Sequence, residues 1–380
     1  QLEGSVQYIS PEQTGRMNRS VDYRTDFYSL GILFFELAAG QLPFKGSDLM
    51  EIIHSHIAKP PKNPTDINSK IPASLNAIIL KLLEKNAENR YQTSYGLKFD
   101  LEKSQKLFKD GKLDESFPLG ARDFSEEFRI PQKLYGREEE LKQLLSSFNK
   151  VGLEGTTEVV LIGGYSGVGK SSLVKEVQKP ITALRGYFLT GKYDQYNRSE
   201  PFSAILQVLS SLVRMILTEP PESIARWKER ILSALGSNGK VITDILPDLI
   251  HIVGEQKSVA EMGASENANR FYAVFLEFIR VFADREHPLA IFLDDMQWAD
   301  SASLQLLRTL LDDRSTGSLF IMLAYRDNET DANHPFTLLI EDIKKESGSL
   351  PSIILKPLSN ANVAELLSDS LYTPKANVQP

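Results

Sequence analysis

The chain has 380 residues, with 43 Lys and Arg against 50 Asp and Glu, which gives a formal net charge of −7 at pH 7. That length suggests two or three domains, each able to bury a hydrophobic core, and a hydrophobic fraction of 42% excludes disorder for most of the chain. The absence of Cys excludes disulfides, thiol catalysis and Cys-ligated zinc, and 5 His leave little for a His-based metal site. The acidic balance argues against general nucleic-acid binding, which needs a basic surface.

Two further features bear on the setting of the protein. The longest apolar stretch, residues 28–39, is too short to cross a bilayer, so we expect no membrane segment and a cytoplasmic location. The chain begins with Gln1 rather than Met, and we expect it to be a fragment of a longer protein.

The first part of the chain, residues 1–112, is predicted to be helical. A mostly apolar helix is expected over residues 26–39, and further helices are expected over residues 49–57 and 73–84. Because the first helix has almost no polar stripe, we expect it in the middle of a core. Residues 113–134 combine Pro, Gly and mixed charges without periodicity, which predicts a linker.

Strands and helices alternate in the second part of the chain. Short apolar runs predict strands, and amphipathic spacing predicts the helices between them. The strands are expected at residues 158–163, 186–190, 289–294, 318–325 and 352–355, and helices at 202–217, 223–235 and 264–283. This alternation implies crossover connections, so we predict an α/β fold over residues 135–350, with a parallel sheet and helices on both faces.

A glycine-rich loop follows the first of these strands. Residues 164–171 read GYSGVGKS, which fits the phosphate-binding pattern G-x-x-x-x-G-K-[S/T] between a strand and a helix. The glycines let consecutive N–H groups surround phosphate oxygens, and the helix start adds the positive end of its dipole. The candidate nucleotide-binding residues are Gly164, Tyr165, Ser166, Gly167, Val168, Gly169, Lys170, Ser171 and Ser172. The alternative is a glycine-rich turn that binds nothing.

Within this loop, two side chains carry distinct expectations. Lys170 is expected to reach the β- and γ-phosphates of ATP, and the Ser171 hydroxyl is expected to ligate Mg²⁺. Such a site also needs a carboxylate at the end of a neighbouring strand. The run LAIFLDD supplies Asp294, which we expect to hold Mg²⁺, and Asp295, which would orient or deprotonate the attacking water. The alternative for both acids is a cap on the next helix.

A cation follows the next predicted strand. Arg326 is placed to sense the γ-phosphate, and the alternative is a salt bridge to Asp327 or Glu329. The candidate catalytic residues are therefore Lys170, Asp295 and Arg326, and the candidate metal ligands are Ser171 and Asp294.

These motifs, together with LYGREEEL at residues 134–141 and GKYDQYNRSEPFSAI at residues 191–205, resemble the P-loop ATPase module of the STAND class (signal transduction ATPases with numerous domains), within the wider AAA-like group. The resemblance implies that residues 135–137, including Arg137, lie near the adenine, and that Arg326 acts as a sensor. It also implies ATP and Mg²⁺ as cofactors, and a helical lid of which residues 351–380 would be the start.

The first part of the chain resembles the C-terminal lobe of a eukaryotic-type Ser/Thr protein kinase. The segments that carry this resemblance are GSVQYISPE at residues 4–12 and DYRTDFYSLGILFFELAAGQLPF at residues 22–44. It implies a buried ion pair between Glu12 and Arg90, and an Asp26 that accepts N–H bonds from the catalytic loop, with an N-cap as the alternative for Asp26. The family's glycine loop, strand lysine, His-Arg-Asp and Asp-Phe-Gly motifs have no equivalent before Glu12. We therefore expect that this chain alone does not transfer phosphate to protein.

The order of the two units resembles large bacterial signalling proteins that join a Ser/Thr kinase, a STAND ATPase, a sensor domain and a histidine kinase. This implies an ATP-dependent switch in phosphorylation-based intracellular signalling of the two-component type. The implied partners are ATP, protein substrates, and downstream sensor and histidine-kinase domains of the same chain, without nucleic acid, while nucleotide-dependent self-association stays open. The alternatives are an ATP-binding scaffold without turnover and a STAND-type transcription regulator.

Overall fold

The computed structural model describes residues 5–14, 21–46, 49–123, 133–184, 186–196, 201–260, 263–313, 315–347, 350–371 and 373–378. Outside this part of the chain lie Gly4, residues 124–132 of the expected linker, and residues 197–200 of the segment GKYDQYNRSEPFSAI. The chain divides into two compact units, one formed by residues 1–136 and 358–380 and the other by residues 137–357. No helix in the described residues is long and apolar enough to span a membrane.

The first unit is built from helices. They are α1 (Arg24–Ala39), α2 (Leu49–Ala58), α3 (Pro64–Ile67), α4 (Ala73–Leu82) and α5 (Ser94–Lys109), with short 3-10 helices at Pro11–Thr14 and Ala87–Asn89. α1 and α4 approach closely at Gly31, where a Cβ atom would lie 2.7 Å from Leu82 Cβ. A side chain at this position would push the two helices apart, which explains a glycine inside an apolar helix.

The sequence predicts that α1 lies in the middle of a core. The structure confirms this for one face of the helix, whereas another face is exposed. Tyr28, Ile32 and Phe35 are fully buried and contribute to a hydrophobic core. Leu33 and Leu37, however, are 41% and 74% exposed. The described residues of this unit pack against the first face and leave the second exposed to solvent. Some of the apolar side chains of α1 are therefore not buried by this part of the chain.

The predicted pair of Glu12 and Arg90 lies in the core of the first unit. The guanidinium binds the carboxylate in a bidentate manner, with N–O distances of 2.7 and 2.9 Å, and both residues are at least 96% buried. The remaining N–H groups of Arg90 donate to the carbonyls of Arg24, Glu84 and Lys85, so all five are used. Burial opposes ionisation of Glu12, but Arg90 outweighs this effect and holds the pKa of Glu12 below its ordinary value.

Asp26 does not take the N-cap position that was its alternative assignment. Tyr23 is the N-cap of α1, and Asp26 lies in the first turn with its side chain exposed. An acid at this place interacts favourably with the helix dipole.

Lys85 lies beside Arg90. Its Nζ donates to the Tyr28 hydroxyl at 3.3 Å and to the Ser55 carbonyl at 3.2 Å, and it lies 4.2 Å from the centre of the Phe44 ring. Burial, and then the positive charge of Arg90, lower the pKa of Lys85 to about 7.

The described part of the expected linker lies against α5 rather than forming an open tether. The Asp123 carboxylate accepts from the backbone N–H groups of Gln92 and Thr93, both at 2.8 Å, just before α5 begins. The Gly120 N–H donates to Asp100 at 2.7 Å. Because these bonds satisfy polar groups of the helix start, residues up to Asp123 are part of the first unit.

The second unit alternates strands and helices. The strands are β1 (Thr157–Gly163), β2 (Tyr187–Lys192), β3 (Leu289–Asp294), β4 (Leu319–Tyr325) and β5 (Ser352–Ile354). The α-helices are α6 (Glu138–Glu154), α7 (Lys170–Ala183), α8 (Ser203–Leu217), α9 (Pro221–Leu235), α10 (Gly239–Ile245), α11 (Ile250–Val253), α12 (Ala264–Phe282), α13 (Ser301–Asp312) and α14 (Pro335–Ser347). Short 3-10 helices lie at Gly236–Asn238, Pro247–Leu249 and Met296–Trp298.

The five strands form one sheet in the order β2-β3-β4-β1-β5, and all pairs are parallel. In β3 and β4 every residue before the last is buried, so both faces of the sheet are covered. This confirms the predicted α/β fold. The carboxyl ends of the strands lie at one edge of the sheet, which is where the candidate residues follow them.

The end of the second unit differs from the predicted boundary at residue 350. β5 pairs with β1, with Leu161 opposite Ser352, so residues 352–354 belong to the sheet and not to a lid. The compact unit extends to Pro357. The helix α15 (Asn360–Leu371) and a 3-10 helix at Lys375–Asn377 follow, and they belong to the first unit.

We expect Glu12→Gln to destabilise the first unit by about 3–5 kcal/mol, because it leaves the buried Arg90 charge without its counter-ion. Proteolysis of the full chain at increasing urea, with fragments of the first unit followed by mass spectrometry, measures this loss. The matched control is Glu102→Gln, which breaks an exposed pair with Lys98 and should leave the transition in place. A loss below about 1 kcal/mol would contradict the structural role of the buried pair.

The stability of the first unit should also depend on the protonation of Lys85. Since its pKa is about 7 in the folded protein and ordinarily 10.5, the unfolded state binds more protons between these values, and stability rises as pH increases from 7 to 10. In the folded protein, Tyr28, whose pKa is raised by burial, and His56, whose pKa is lowered to about 4, do not titrate in this range. Ionisation of Tyr28 in the unfolded chain near pH 10 acts against the rise, but it is common to the parent and the Lys85 variant. The same proteolysis assay at pH 7, 8.5 and 10 should show a smaller rise for Lys85→Met than for the parent. Parallel pH profiles would contradict the assignment.

Candidate functional site

The glycine-rich loop connects β1 to α7, which begins at Lys170. Gly167 and Gly169 have φ angles of 77° and 102°, which residues with a side chain rarely adopt. The loop leads directly into the N-terminus of α7. There, the backbone N–H groups that have no partner within the helix, together with the helix dipole, favour an anion. The local structure is the strand, loop and helix that the motif predicts.

The loop residues differ in exposure. Gly164 and Lys170 are buried, Val168, Gly169 and Ser171 are half-buried, and Tyr165, Ser166, Gly167 and Ser172 are exposed. The loop therefore presents part of its length to solvent, where a ligand can reach it, while its lysine is held inside.

Lys170 is a buried cation bonded to neutral groups. Its Nζ donates to the carbonyls of Gly164 at 2.7 Å and Tyr165 at 2.9 Å. Burial lowers the pKa of Lys170, and the nearby carboxylates of Asp294 and Asp295 oppose that effect. A phosphate oxygen would form a stronger, charge-assisted hydrogen bond with this ammonium than a carbonyl does.

Ser171 and Asp294 offer two oxygen atoms in contact, with Ser171 Oγ donating to Asp294 Oδ2 at 2.9 Å. Hydroxyl and carboxylate oxygens suit Mg²⁺, which commonly keeps several waters and nucleotide phosphates as its other ligands. No group of three or more His, Asp or Glu side chains in the described part of the chain could hold a metal. The donor set therefore fits Mg²⁺ bound together with a nucleotide, and not a metal held by protein ligands alone.

Asp295 has a strained backbone, and its side chain contacts three donors. Its φ angle is 56°, in the left-handed region, and its carboxylate is buried. Oδ1 accepts from Gln297 Nε2 at 2.8 Å and from Arg326 Nε at 3.2 Å. Lys192 Nζ lies 3.2 Å from Oδ2. Every one of these partners is a donor, so the carboxylate acts as an acceptor from three directions.

Neither acid caps a following helix with its side chain, although Asp295 occupies the N-cap position of the 3-10 helix Met296–Trp298. Asp300 is the N-cap of α13, where its carboxylate accepts from the Ser303 N–H at 2.9 Å. Asp295 precedes a short 3-10 helix but makes no capping bond with its side chain. Asp294 and Asp295 instead contact Ser171 and Arg326.

Arg326 lies directly after β4 and contacts two carboxylates, while its expected role as a sensor of the γ-phosphate stays a prediction. It pairs with Asp295, and its NH1 donates to Glu329 at 2.6 Å, which was the alternative assignment. Its guanidinium also lies 4.6 Å from the Trp298 ring. Burial acts against its charge, but Glu329 and Asp295 more than compensate and raise the pKa of Arg326.

Arg137 contacts the loop backbone. Its NH2 donates to the Val168 carbonyl at 3.3 Å and to the Lys356 carbonyl, while its NH1 pairs with Glu140 at 3.2 Å. The side chain is buried, so this cation supports the glycine-rich loop from within the protein. Its expected position near an adenine stays a prediction.

Three residues at the site were not identified from the sequence: Lys192, Gln297 and Trp298. Lys192 is the last residue of β2 and lies opposite Asp294 in the register of β2 and β3. The predicted strand ended at residue 190, and extending it by two residues would have placed Lys192 beside the acidic pair. Gln297 and Trp298 follow the two acids closely in the sequence, and this position was the only feature that could have indicated a place at the site.

The comparisons with known proteins match both units. The family described as AAA ATPase domain matches residues 133–322, which is half of the chain, and the family described as protein kinase domain matches residues 1–100. A probable serine/threonine-protein kinase of Clostridium perfringens is 45% identical over 103 residues, covering 27% of this chain and 15% of that protein.

Two relatives extend across both units. The hybrid signal transduction histidine kinase G of Dictyostelium discoideum is 42% identical over 330 residues, and histidine protein kinase 1 of Candida albicans is 25% identical over 358 residues. These matches cover 80% and 84% of this chain but only 9% and 14% of the relatives, so the chain spans a small part of their length. The bacterial origin expected from the sequence stays a prediction. The chain belongs to the AAA ATPase domain family, and its residues 1–100 are similar to protein kinase domains.

Proposed function

We propose that residues 137–357 bind ATP with Mg²⁺ and hydrolyse it, and that this unit is a STAND-type switch in a phosphorylation-based signalling protein. The observation that carries the proposal is the 2.9 Å contact between the Ser171 hydroxyl and the Asp294 carboxylate. It joins the glycine-rich loop to the acidic strand end at the one place where a nucleotide-bound cation needs oxygen ligands.

The loop and Lys170 hold the phosphates in this proposal. The helix start at Lys170 favours an anion, and the ammonium exchanges its two carbonyl partners for β- and γ-phosphate oxygens. This exchange is favourable because a buried charge gains an oppositely charged partner.

Ser171 and Asp294 are the residues that would hold Mg²⁺, which when bound neutralises charge on the β- and γ-phosphates. Asp295 accepts a hydrogen bond from the attacking water and orients it, and its burial keeps bulk water from competing for the carboxylate. Arg326, at the end of β4, stabilises negative charge that develops on the γ-phosphate.

The switch depends on the same residues. Arg326 and Lys192 pair with Asp295, and a γ-phosphate attracts the same two cations. ATP and ADP therefore differ in how they distribute these cations, which favours different arrangements of the strand ends. The histidine-kinase relatives support a signalling role. In this proposal, residues 1–112 are part of the C-terminal lobe of a Ser/Thr kinase, and the switch either regulates that kinase or is regulated by it.

We expect Lys170→Ala to weaken ATP binding by about 100-fold or more, because it removes a charge-assisted contact to two phosphates. Isothermal titration calorimetry with ATP and Mg²⁺ measures the dissociation constant. Lys175→Ala is the matched control, since Lys175 is exposed on the same helix and its loss should leave binding unchanged. Unchanged affinity in Lys170→Ala would refute the site.

We expect Asp295→Asn to abolish steady-state phosphate release while ATP binding is retained, because the amide keeps the size of the side chain but loses the acceptor charge. Asp312→Asn, at the exposed end of α13, is the control and should hydrolyse ATP like the parent. Full turnover in Asp295→Asn would contradict the role of Asp295. A parent that binds ATP without turnover would instead favour the scaffold.

A further inference from the structure

Gln297 is a buried polar residue that the proposed reaction does not use. It lies on the short 3-10 helix Met296–Trp298 between β3 and α13, and it is only 3% exposed. A buried side-chain amide is costly unless its donors and acceptor find partners. Its bonds therefore indicate what holds it in place.

The orientation of the Gln297 amide is determined by its partners. The backbone N–H of Arg326 donates to Oε1 at 3.2 Å, and a backbone N–H can only donate. The amide nitrogen must then face Asp295, and Nε2 donates to Oδ1 at 2.8 Å. One side chain thus connects the end of β3 to the first residue after β4.

The main chain of Gln297 is held as well. The Phe336 N–H donates to His334 Nδ1 at 3.2 Å, so the imidazole proton is on Nε2 and donates to the Gln297 carbonyl at 3.1 Å. Since His334 directly precedes α14, the start of that helix anchors the backbone of Gln297. The side chain and the main chain of Gln297 are consequently held by different elements of the second unit.

These contacts act on the pair formed by Asp295 and Arg326. Oδ1 of Asp295 is shared between Gln297 Nε2 and Arg326 Nε, while Gln297 Oε1 holds the backbone of Arg326. The left-handed backbone of Asp295 gives its side chain an unusual direction, which needs support from outside the residue. Gln297 supplies that support and fixes the spacing between the carboxylate and the cation.

We propose that Gln297 is a positioning residue for ATP hydrolysis, which sets the direction of the Asp295 carboxylate relative to Arg326. The proposal rests on the hydrolytic function proposed above. In the described part of the chain, the hydrogen bonds of Gln297 go to Asp295, Arg326 and His334 and not to the glycine-rich loop. Its loss therefore affects the orientation of the water-binding carboxylate and not the contacts that hold phosphates. A small misplacement of a reacting group is enough to slow a reaction by about 100-fold.

The first experiment separates turnover from binding. In Gln297→Leu and Gln297→Glu, kcat for phosphate release should fall about 10- to 100-fold, while the dissociation constant for ATP and Mg²⁺ stays within about threefold of the parent. Gln256→Leu is the matched control, because the Gln256 amide nitrogen donates to the Val253 and Gly254 carbonyls, which are not part of the proposed site. It should leave both quantities unchanged.

The second experiment tests the direction of the hydrogen bond. Gln297→Glu replaces the donor facing Asp295 with a carboxylate, so the melting temperature should fall. Adding Asp295→Asn restores a donor and acceptor in reversed order, and the double variant should recover at least half of that loss. Turnover is not needed for this measurement.

Different failures have different meanings. A parental kcat in both Gln297 variants would overturn the positioning role alone. A loss of ATP affinity as large as the loss of kcat would also overturn it, because a purely structural residue affects both quantities together. The absence of recovery in the double variant would overturn the assigned amide orientation. A parent without turnover would overturn the proposed hydrolysis together with this inference.

Discussion

Parallel pairing of β1, β4 and β3 is the constraint on which the site depends. Gly163 lies opposite Tyr325, and Leu293 lies opposite Leu323, so the three strands reach the same sheet edge in step. Each residue advances a strand by about 3.3 Å, so reversing the six-residue β3 would move Asp294 roughly 20 Å from the loop. The contact between Ser171 and Asp294 therefore results from sheet topology and not from any local preference of either residue.

The charges at this edge are arranged so that a phosphate changes their balance. Arg326 and Lys192 both interact with Asp295, whereas Lys170 is bonded to two neutral carbonyls. An incoming phosphate gains Lys170 without breaking an ion pair, but it must compete with Asp295 for the other two cations. In the proposed switch, initial binding and the later rearrangement around Asp295 are thus separable steps, as a nucleotide-dependent switch requires.

Sequence patterns were sufficient where the signal is local. The apolar run of β3 was predicted with its observed bounds, and β4 was predicted to within one residue, because both strands are buried on two faces. The pattern missed α5, since its buried residues are Gly96, Leu97, Asp100 and Ser104, which show no apolar periodicity. Gln297 and Lys192 were missed for a related reason: their partners are brought close by strand pairing, which no local pattern reports.

Two buried cations show how partners separate a structural role from a binding role. Arg90 donates all five N–H groups to other residues of the protein, two of them to the Glu12 carboxylate. No N–H group of Arg90 is therefore left to bind a ligand. Lys170 is also buried, but its hydrogen bonds end on neutral carbonyls, and burial lowers its pKa. A charge that is buried without a carboxylate bonded to it is costly in the folded protein and is relieved by an anion. The first arrangement stabilises a fold, whereas the second suits the phosphate-binding role that we propose for Lys170.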